Sequence, residues 1–418
     1  MDRLEKIQNL KLYKAKLSFN AQKIGDIREA LIRELEGSSL IIPPGGEIAI
    51  ATGSRGVANI ALMVRTICDY VRAKGGKPFI VPAMGSHGGA SAEGQEAILA
   101  EYGITEATMN APVRSCMDVV EIDNRGMENK VYMDRLAWES DGVILINRVK
   151  PHTDFRGALE SGVSKMSVIG LGKHKLAMEI HSWGAWGLAN LIEPTAKRVF
   201  EQKKILLGIA VVENAYDQTA LIKALKPEDI IEEEKKLLLT AREWMPALPV
   251  DQIDALLIDW MGKNISGCGM DTNIIGRIRV EGMADNPRPK IGHIIVDDLT
   301  DLSHGNATGT GLADIMTRKL FDKIDFHATY ENTLTSSFLL RGPLPMIADN
   351  ALQALQWSFR GHGRLDPDDA RIIRIQDTLH LGEMYVSKAL SKEVADSGAR
   401  VSDEPSPLFN NDGTLAAF

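Results

Sequence analysis

Short apolar runs alternate with helical patterns along this chain, and that alternation predicts parallel α/β sheets. "EIAIAT" (Glu47–Thr52) reads as a buried strand. "NIALMVRTICDYVRAKGG" follows with apolar residues at helical spacing and ends on glycines, so it reads as an amphipathic helix. "KPFIVPA" is the next strand, and "SAEGQEAILAEYG" the next helix, with Ser91 as its N-cap. "DGVILINR" (141–148) is a third strand, and "KILLGIAVVENA" a fourth that runs toward a sheet edge. The Pro-bearing stretch "WMPALPVDQID" then separates a second block containing "ALLIDW", "HIIVDDL" and "RIIRIQD". The expected architecture is two α/β domains with mostly parallel sheets and an interdomain cleft. The domains expected are residues 1–249 and 250–382, with a tail, 383–418, packing back on the N-terminal domain. No internal repeat at solenoid periods is present.

Composition narrows the class. A 44% hydrophobic fraction over 418 residues supplies sizeable cores, and a net charge of −8 argues against a nucleic-acid partner. The first residues, "MDRLEKIQNLKLYKAKL", lack an apolar signal region, and no run of about 18 apolar residues occurs to span a membrane. The cysteines are Cys68, Cys116 and Cys268, widely spaced and without C-x-x-C, which excludes a disulfide framework or zinc knuckle. A cytoplasmic protein is expected.

Each strand of the first block is followed by a glycine-containing loop with a reactive side chain. "TGSRG" carries Thr52, Ser54 and Arg55, "MGSHGG" carries His87, and "VKPHTDFRG" carries Lys150 and His152. In a parallel sheet these loops all leave the carboxyl ends of strands, where open α/β folds bind ligands. The pattern places Arg55, as an anion clamp, beside two histidines. The second block repeats it with "MGKNISGCGMDTN" and with "SHGNATGTG", where His304 lines the expected cleft mouth. His293 and His362 read as structural, and Trp183 and Trp186 as packing residues. Nucleotide motifs fail: in "GLGKH" (170–174) Ser167 replaces the first P-loop glycine and His174 the closing Ser/Thr, and "GNATGTG" is not G-x-G-x-x-G. Taken singly, each of these side chains is also readable as an ordinary loop or surface residue.

The stretch "KPHTDFRGALESGVSKMSVIGLGKHKLAMEIH" (150–181) resembles the nickel-dependent lactate racemase family of hydroxyacid racemases and epimerases. That family runs a strand into P-H, follows it with S-G and a lysine, and places a metal-binding histidine sixteen residues later. Here these are Pro151-His152, Ser161-Gly162, Lys165 and His181. The earlier G-x-H matches Gly85-Ser86-His87, and the D-x-T-R element corresponds to Thr52-Gly53-Ser54-Arg55. The resemblance implies a nickel-pincer nucleotide cofactor, the nickel complex of pyridinium-3-thioamide-5-thiocarboxylic acid mononucleotide, attached through Lys165 in the Ser161-Gly162 segment. It further implies His181 as the nickel ligand, His87 and His152 as paired acid/bases, and Arg55 and Thr52 as substrate-binding residues. A small-molecule 2-hydroxyacid substrate and cofactor-biosynthesis proteins are the partners it implies. The chemistry suits these residue types. The electron-poor pyridinium accepts hydride, a base takes the hydroxyl proton, and inverting a stereocentre needs a base for each hand.

The chain departs from the family pattern in three places. Thr52 stands where the racemases have aspartate. The interval from His152 to Lys165 is three residues longer and inserts Asp154, Arg156 and Glu160. In the second block the family's D-x-N-L-Y-Q-x-x-K corresponds to 271–279, with Gly276 at the glutamine, Arg279 at the lysine, and Arg277 close enough to compete for the role. These departures favour a larger or more polar substrate than lactate, such as a sugar acid. Two other readings stand beside the isomerase: a hydrolase or lyase with a divalent metal held by His87, His152 and His181, and a non-catalytic protein that binds a sugar acid or nucleotide.

Overall fold

The computed structural model describes residues 3–54 and 56–418. The chain divides into two compact units, Asn20–Met245 and a second formed by Met1–Phe19 with Pro246–Phe418. Both are α/β, with mostly parallel sheets.

The unit at Asn20–Met245 holds a five-stranded sheet in the order Lys77–Pro82, Glu47–Thr52, Gly142–Arg148, Ile205–Glu213, Thr219–Leu225. The first four strands are parallel and the last is antiparallel to its neighbour. Ala49, Ile50 and Ala51 are all fully buried, because helices cover both faces and every position of the strand must be apolar. The helix Ile60–Ala73 presses Ile60, Met63, Val64, Ile67 and Val71 into that core. Asn59 precedes it without a capping bond. A cap contributes about 1 kcal/mol, and each fully buried aliphatic roughly 1.5–3 kcal/mol, so the apolar face holds this helix. Ser91 caps Ala92–Glu101 by accepting from the Gly94 N–H at 3.1 Å. The hairpin of Val119–Ile122 with Val131–Asp134 has no counterpart in the sequence reading.

The chain passes from Glu47–Thr52 to a neighbour on one side, and Gly142–Arg148 later joins on the other. This is a topological switch point, and the loops that leave it at the carboxyl ends are the ones carrying Ser54, His87 and His152.

The second unit contains an eight-stranded sheet ordered Met346–Ala348, Ile315–Thr317, Lys290–Leu299, Gln252–Met261, Ile372–Ile375, Glu383–Val386, Lys11–Lys16, Arg400–Pro407. The first five strands are parallel. The last three are antiparallel additions, and here the structure differs from the expected boundaries. The first residues leave the N-terminal domain: Lys11–Lys16 is a strand of this sheet, with Leu12 and Ala15 buried and lysines outward. The tail follows it, since Arg400–Pro407 pairs with Lys11–Lys16. The physical reason is backbone pairing between segments almost 400 residues apart, which local periodicity does not report. His293 and His362 stack at 4.2 Å, bonded to Ser358 Oγ and the Asp254 carbonyl.

Candidate functional site

His87 is held by its neighbours before any ligand is considered. Its Nδ1 is hydrogen-bonded to Ser54 Oγ, and the Tyr102 hydroxyl donates to the Ser54 carbonyl. Buried Gln95 donates through Nε2 to the carbonyls of Gly85 (2.9 Å) and His87 (3.3 Å). Gln95 Oε1 in turn accepts from Lys173 Nζ at 3.1 Å. Lys173, the lysine of "GLGKH", is fully buried and pairs with buried Asp134 at 3.1 Å, so it supports the fold and faces no phosphate. Thr52 is also fully buried, and its hydroxyl has no hydrogen-bond partner among the described residues. Arg55 lies outside the described residues.

The neighbouring loop brings His152 and Lys165 together. Lys165 Nζ lies 2.5 Å from His152 Nε2 and 5.4 Å from the centre of the buried Phe155 ring, which itself stacks on His152. The Asp154 N–H donates to His152 Nδ1 at 3.1 Å. Nδ1 thus faces the backbone and Nε2 faces the lysine. Gly53 lies against this centre: a Cβ there would meet Asn147 Oδ1 at 3.4 Å and Met166 Cε at 3.8 Å. Asn147 Nδ2 donates to the Gly162 carbonyl at 2.8 Å, and Ser161 and Lys150 form a two-way backbone bridge. The turn after the first strand, which carries Ser54, and the segment carrying Lys165 are therefore packed at one edge of the sheet.

His181 follows from a break in the helix. Sixteen residues of straight α-helix would put His181 about 24 Å from Lys165 along the axis. Instead the segment runs through a π-helical stretch, Met166–Gly170, and then a left-handed Lys173 at φ 55°. His181 ends the helix Lys173–His181 within range of the Lys165 charge. Burial, and then that charge, hold the His181 imidazole below its usual pKa, with Asp154 opposing. A neutral imidazole is the form that ligates a metal. Among the described residues no group of three or more His, Cys, Asp or Glu is arranged to hold a metal ion. A metal bound by the His181 nitrogen would draw its remaining ligands from elsewhere.

The inserted charged loop turns inward. Glu160 is buried, and it accepts from the His152 N–H (2.6 Å), the Gly157 N–H (3.3 Å) and Arg242 Nη2 (2.6 Å). Arg156 donates to the carbonyls of His152 (2.5 Å) and Phe155 (3.0 Å). These charges hold the histidine loop; they do not form an outward-facing polar patch. A second carboxylate, Glu234, is buried beneath the Lys165 turn, where Oε2 accepts from Ser164 N (2.8 Å) and Oγ (3.0 Å). Glycine at 162 is required by this contact, since a Cβ would sit 2.0 Å from Glu234 Oε1. Burial pushes the Glu234 carboxyl up to about 7, against the Ser164 and Val163 N–H groups that favour its charge. Sequence reasoning missed Glu234, Arg242 and Lys173. "EEEKK" looks like a solvated face, and nothing local marks its third glutamate as the buried one.

In the second unit, Arg277 pairs with Asp314 at 2.7 Å and donates to the carbonyls of Leu312, Ile291 and Gly292. Arg279 is exposed, and its guanidinium makes no hydrogen bond or ion pair among the described residues. Gly276 adopts φ 74° against the Pro289 carbonyl, where a Cβ would lie at 2.3 Å. Trp183 and Trp186, expected as packing residues, stack on each other at 5.6 Å and are largely exposed.

The fold and these loops define a two-unit α/β protein with a polar site at the carboxyl edge of a parallel sheet. No family model and no curated protein matches the chain. Among solved structures, the lactate racemase apoprotein from Thermoanaerobacterium thermosaccharolyticum is similar over 89% of this chain and 98% of that one, with a TM-score of 0.52 and 14% identity. The likeness establishes a shared fold over nearly the whole chain. No helix among the described residues is long and apolar enough to cross a membrane.

Proposed function

We propose that this chain is an isomerase, a racemase or epimerase of 2-hydroxyacids that works with a nickel-pincer nucleotide. The observation that carries the reading is the contact of Lys165 Nζ with His152 Nε2 at 2.5 Å, with the His181 imidazole kept neutral in range of the same lysine. An attachment amine, a metal-ligating imidazole and a base meet there on one segment. The likeness in fold to a lactate racemase apoprotein supports the reading.

When bound, the cofactor supplies the hydride acceptor that the protein side chains lack. The chain's own residues do the rest. Lys165 offers the amine for covalent attachment. Once that amine is consumed, His152 Nε2 loses the partner it now bonds and becomes available to a substrate hydroxyl. Ser54 orients His87 through Nδ1, which directs the other ring nitrogen at the opposite hand of the substrate. Of the two second-unit arginines, Arg277 is committed to Asp314, which leaves Arg279 as the cation able to bind an anion. A 2-hydroxyacid larger or more polar than lactate, such as a sugar acid, stays the substrate that the departures from the family pattern favour. A centre held by His87, His152 and His181 alone draws no support from the arrangement of donors.

The test is intact mass and nickel content after production in a host that makes the pincer nucleotide, beside Lys165→Ala. A cofactor-sized adduct on the wild type only, with about one nickel per chain, is the expected result. No adduct and no nickel, in a host that loads a known racemase, would refute the proposal.

A further inference from the structure

The 152–165 loop must bring its two ends to hydrogen-bond distance, and thirteen residues of free chain would not hold them there. One helix, Ile230–Trp244, reaches both ends. In its second turn Glu234 accepts two hydrogen bonds from Ser164, the residue before Lys165. Two turns on, Arg242 donates to Glu160, whose other oxygen accepts the His152 N–H. The eight residues between them span about 12 Å of helix. The sheet is shaped for this approach: a Cβ on Gly208 would meet Val163 at 2.7 Å and Ile230 at 3.0 Å. Glu234, Leu237, Leu238 and Ala241 are buried along the helix, so it is seated on the domain and cannot drift with the loop.

The geometry points to Ile230–Trp244 as a clamp that sets the distance between His152 and Lys165, with Glu234 and Arg242 as positioning residues that touch neither reacting atom. This deepens the proposed function and rests on it only in treating the pair as the functional centre. Its predicted signature lies in the pair itself. With the clamp intact, His152 keeps the Asp154 N–H on Nδ1 and Lys165 on Nε2.

The experiment uses the full, unloaded chain and the variants Glu234→Gln, Arg242→Met and Arg242→Lys. Two quantities are read: the imidazole 15N shifts of His152, and the rate at which an acetylating ester modifies Lys165, followed by peptide mass against the exposed lysines. Glu234→Gln and Arg242→Met are expected to move the His152 shifts away from their wild-type values, because each ring nitrogen loses its fixed neighbour. They are also expected to change Lys165 labelling at least threefold, with the other lysines unchanged. Arg242→Lys, which keeps the charge beside Glu160, is expected to restore both readings. Arg242 is partly exposed, so its variants remain testable if Glu234→Gln does not fold. Wild-type shifts and labelling in folded Arg242→Met, or failure of Arg242→Lys to restore them, would overturn the clamp. Neither readout needs the cofactor, so a failed loading experiment would refute the function and leave the clamp standing.

Discussion

Glu234 makes a prediction about stability that can be worked through in full. Its carboxyl is 1% exposed and is pushed up to about 7 from its usual 4.5. Oε1 makes no hydrogen bond among the described residues, so the two bonds to Oε2 do not offset the loss of water. A raised acid holds its proton more tightly in the folded chain than in the unfolded one. Its contribution is therefore fully present below pH 4.5 and is lost as pH rises through 7. At 1.36 kcal/mol per unit, the shift corresponds to about 3 kcal/mol, most of it falling between pH 5 and 8. In a unit of this size that is roughly 6–12 °C of melting temperature. Glutamine cannot ionise, so Glu234→Gln lacks this dependence. The assay is urea unfolding of both proteins at several pH values from 5 to 8, with the difference plotted against pH. The wild type should lose about 3 kcal/mol relative to the variant as pH rises across that window. A flat difference, or one with the opposite slope, would show that the buried carboxyl is not held protonated and that the reasoning from burial fails.

Four further substitutions have outcomes set by the surroundings of each residue. Lys173→Met leaves buried Asp134 without its cation and should cost about 3–5 kcal/mol in chemical denaturation, while adding Asp134→Asn should recover most of it. Gly162→Ala drives a Cβ into Glu234 and should cost about 3 kcal/mol or more, partly recovered by Glu234→Ala, which opens the space. Arg277→Gln should destabilise by about 3 kcal/mol through the lost Asp314 pair and carbonyl bonds. Arg279→Gln should stay within about 0.5 kcal/mol of wild type.

What the sequence revealed and what it hid divide along a physical line. The parallel strands were legible because a strand covered on both faces is apolar through its middle, as residues 48–51 and 143–146 are. The edge strands were not. Lys11–Lys16 keeps only Leu12 and Ala15 inside, and Arg400–Pro407 is polar and carries two prolines. Each becomes a strand through a partner far away in sequence. The site divides in the same way. Reactive side chains are visible wherever loops leave strand ends, so His87 and His152 could be named from their loops, whereas Lys165 and His181 were named only through the family resemblance. The groups that fix them are charged residues in charged stretches, and only burial separates Glu234 from Glu232 and Glu233, or Glu160 from Asp154. The inserted loop shows the consequence. As sequence, Asp154, Arg156 and Glu160 looked like substrate contacts, yet Glu160 and Arg156 are spent on the backbone of His152. An insertion beside the proposed catalytic histidine can thus change how firmly that histidine is held without adding anything that a substrate touches.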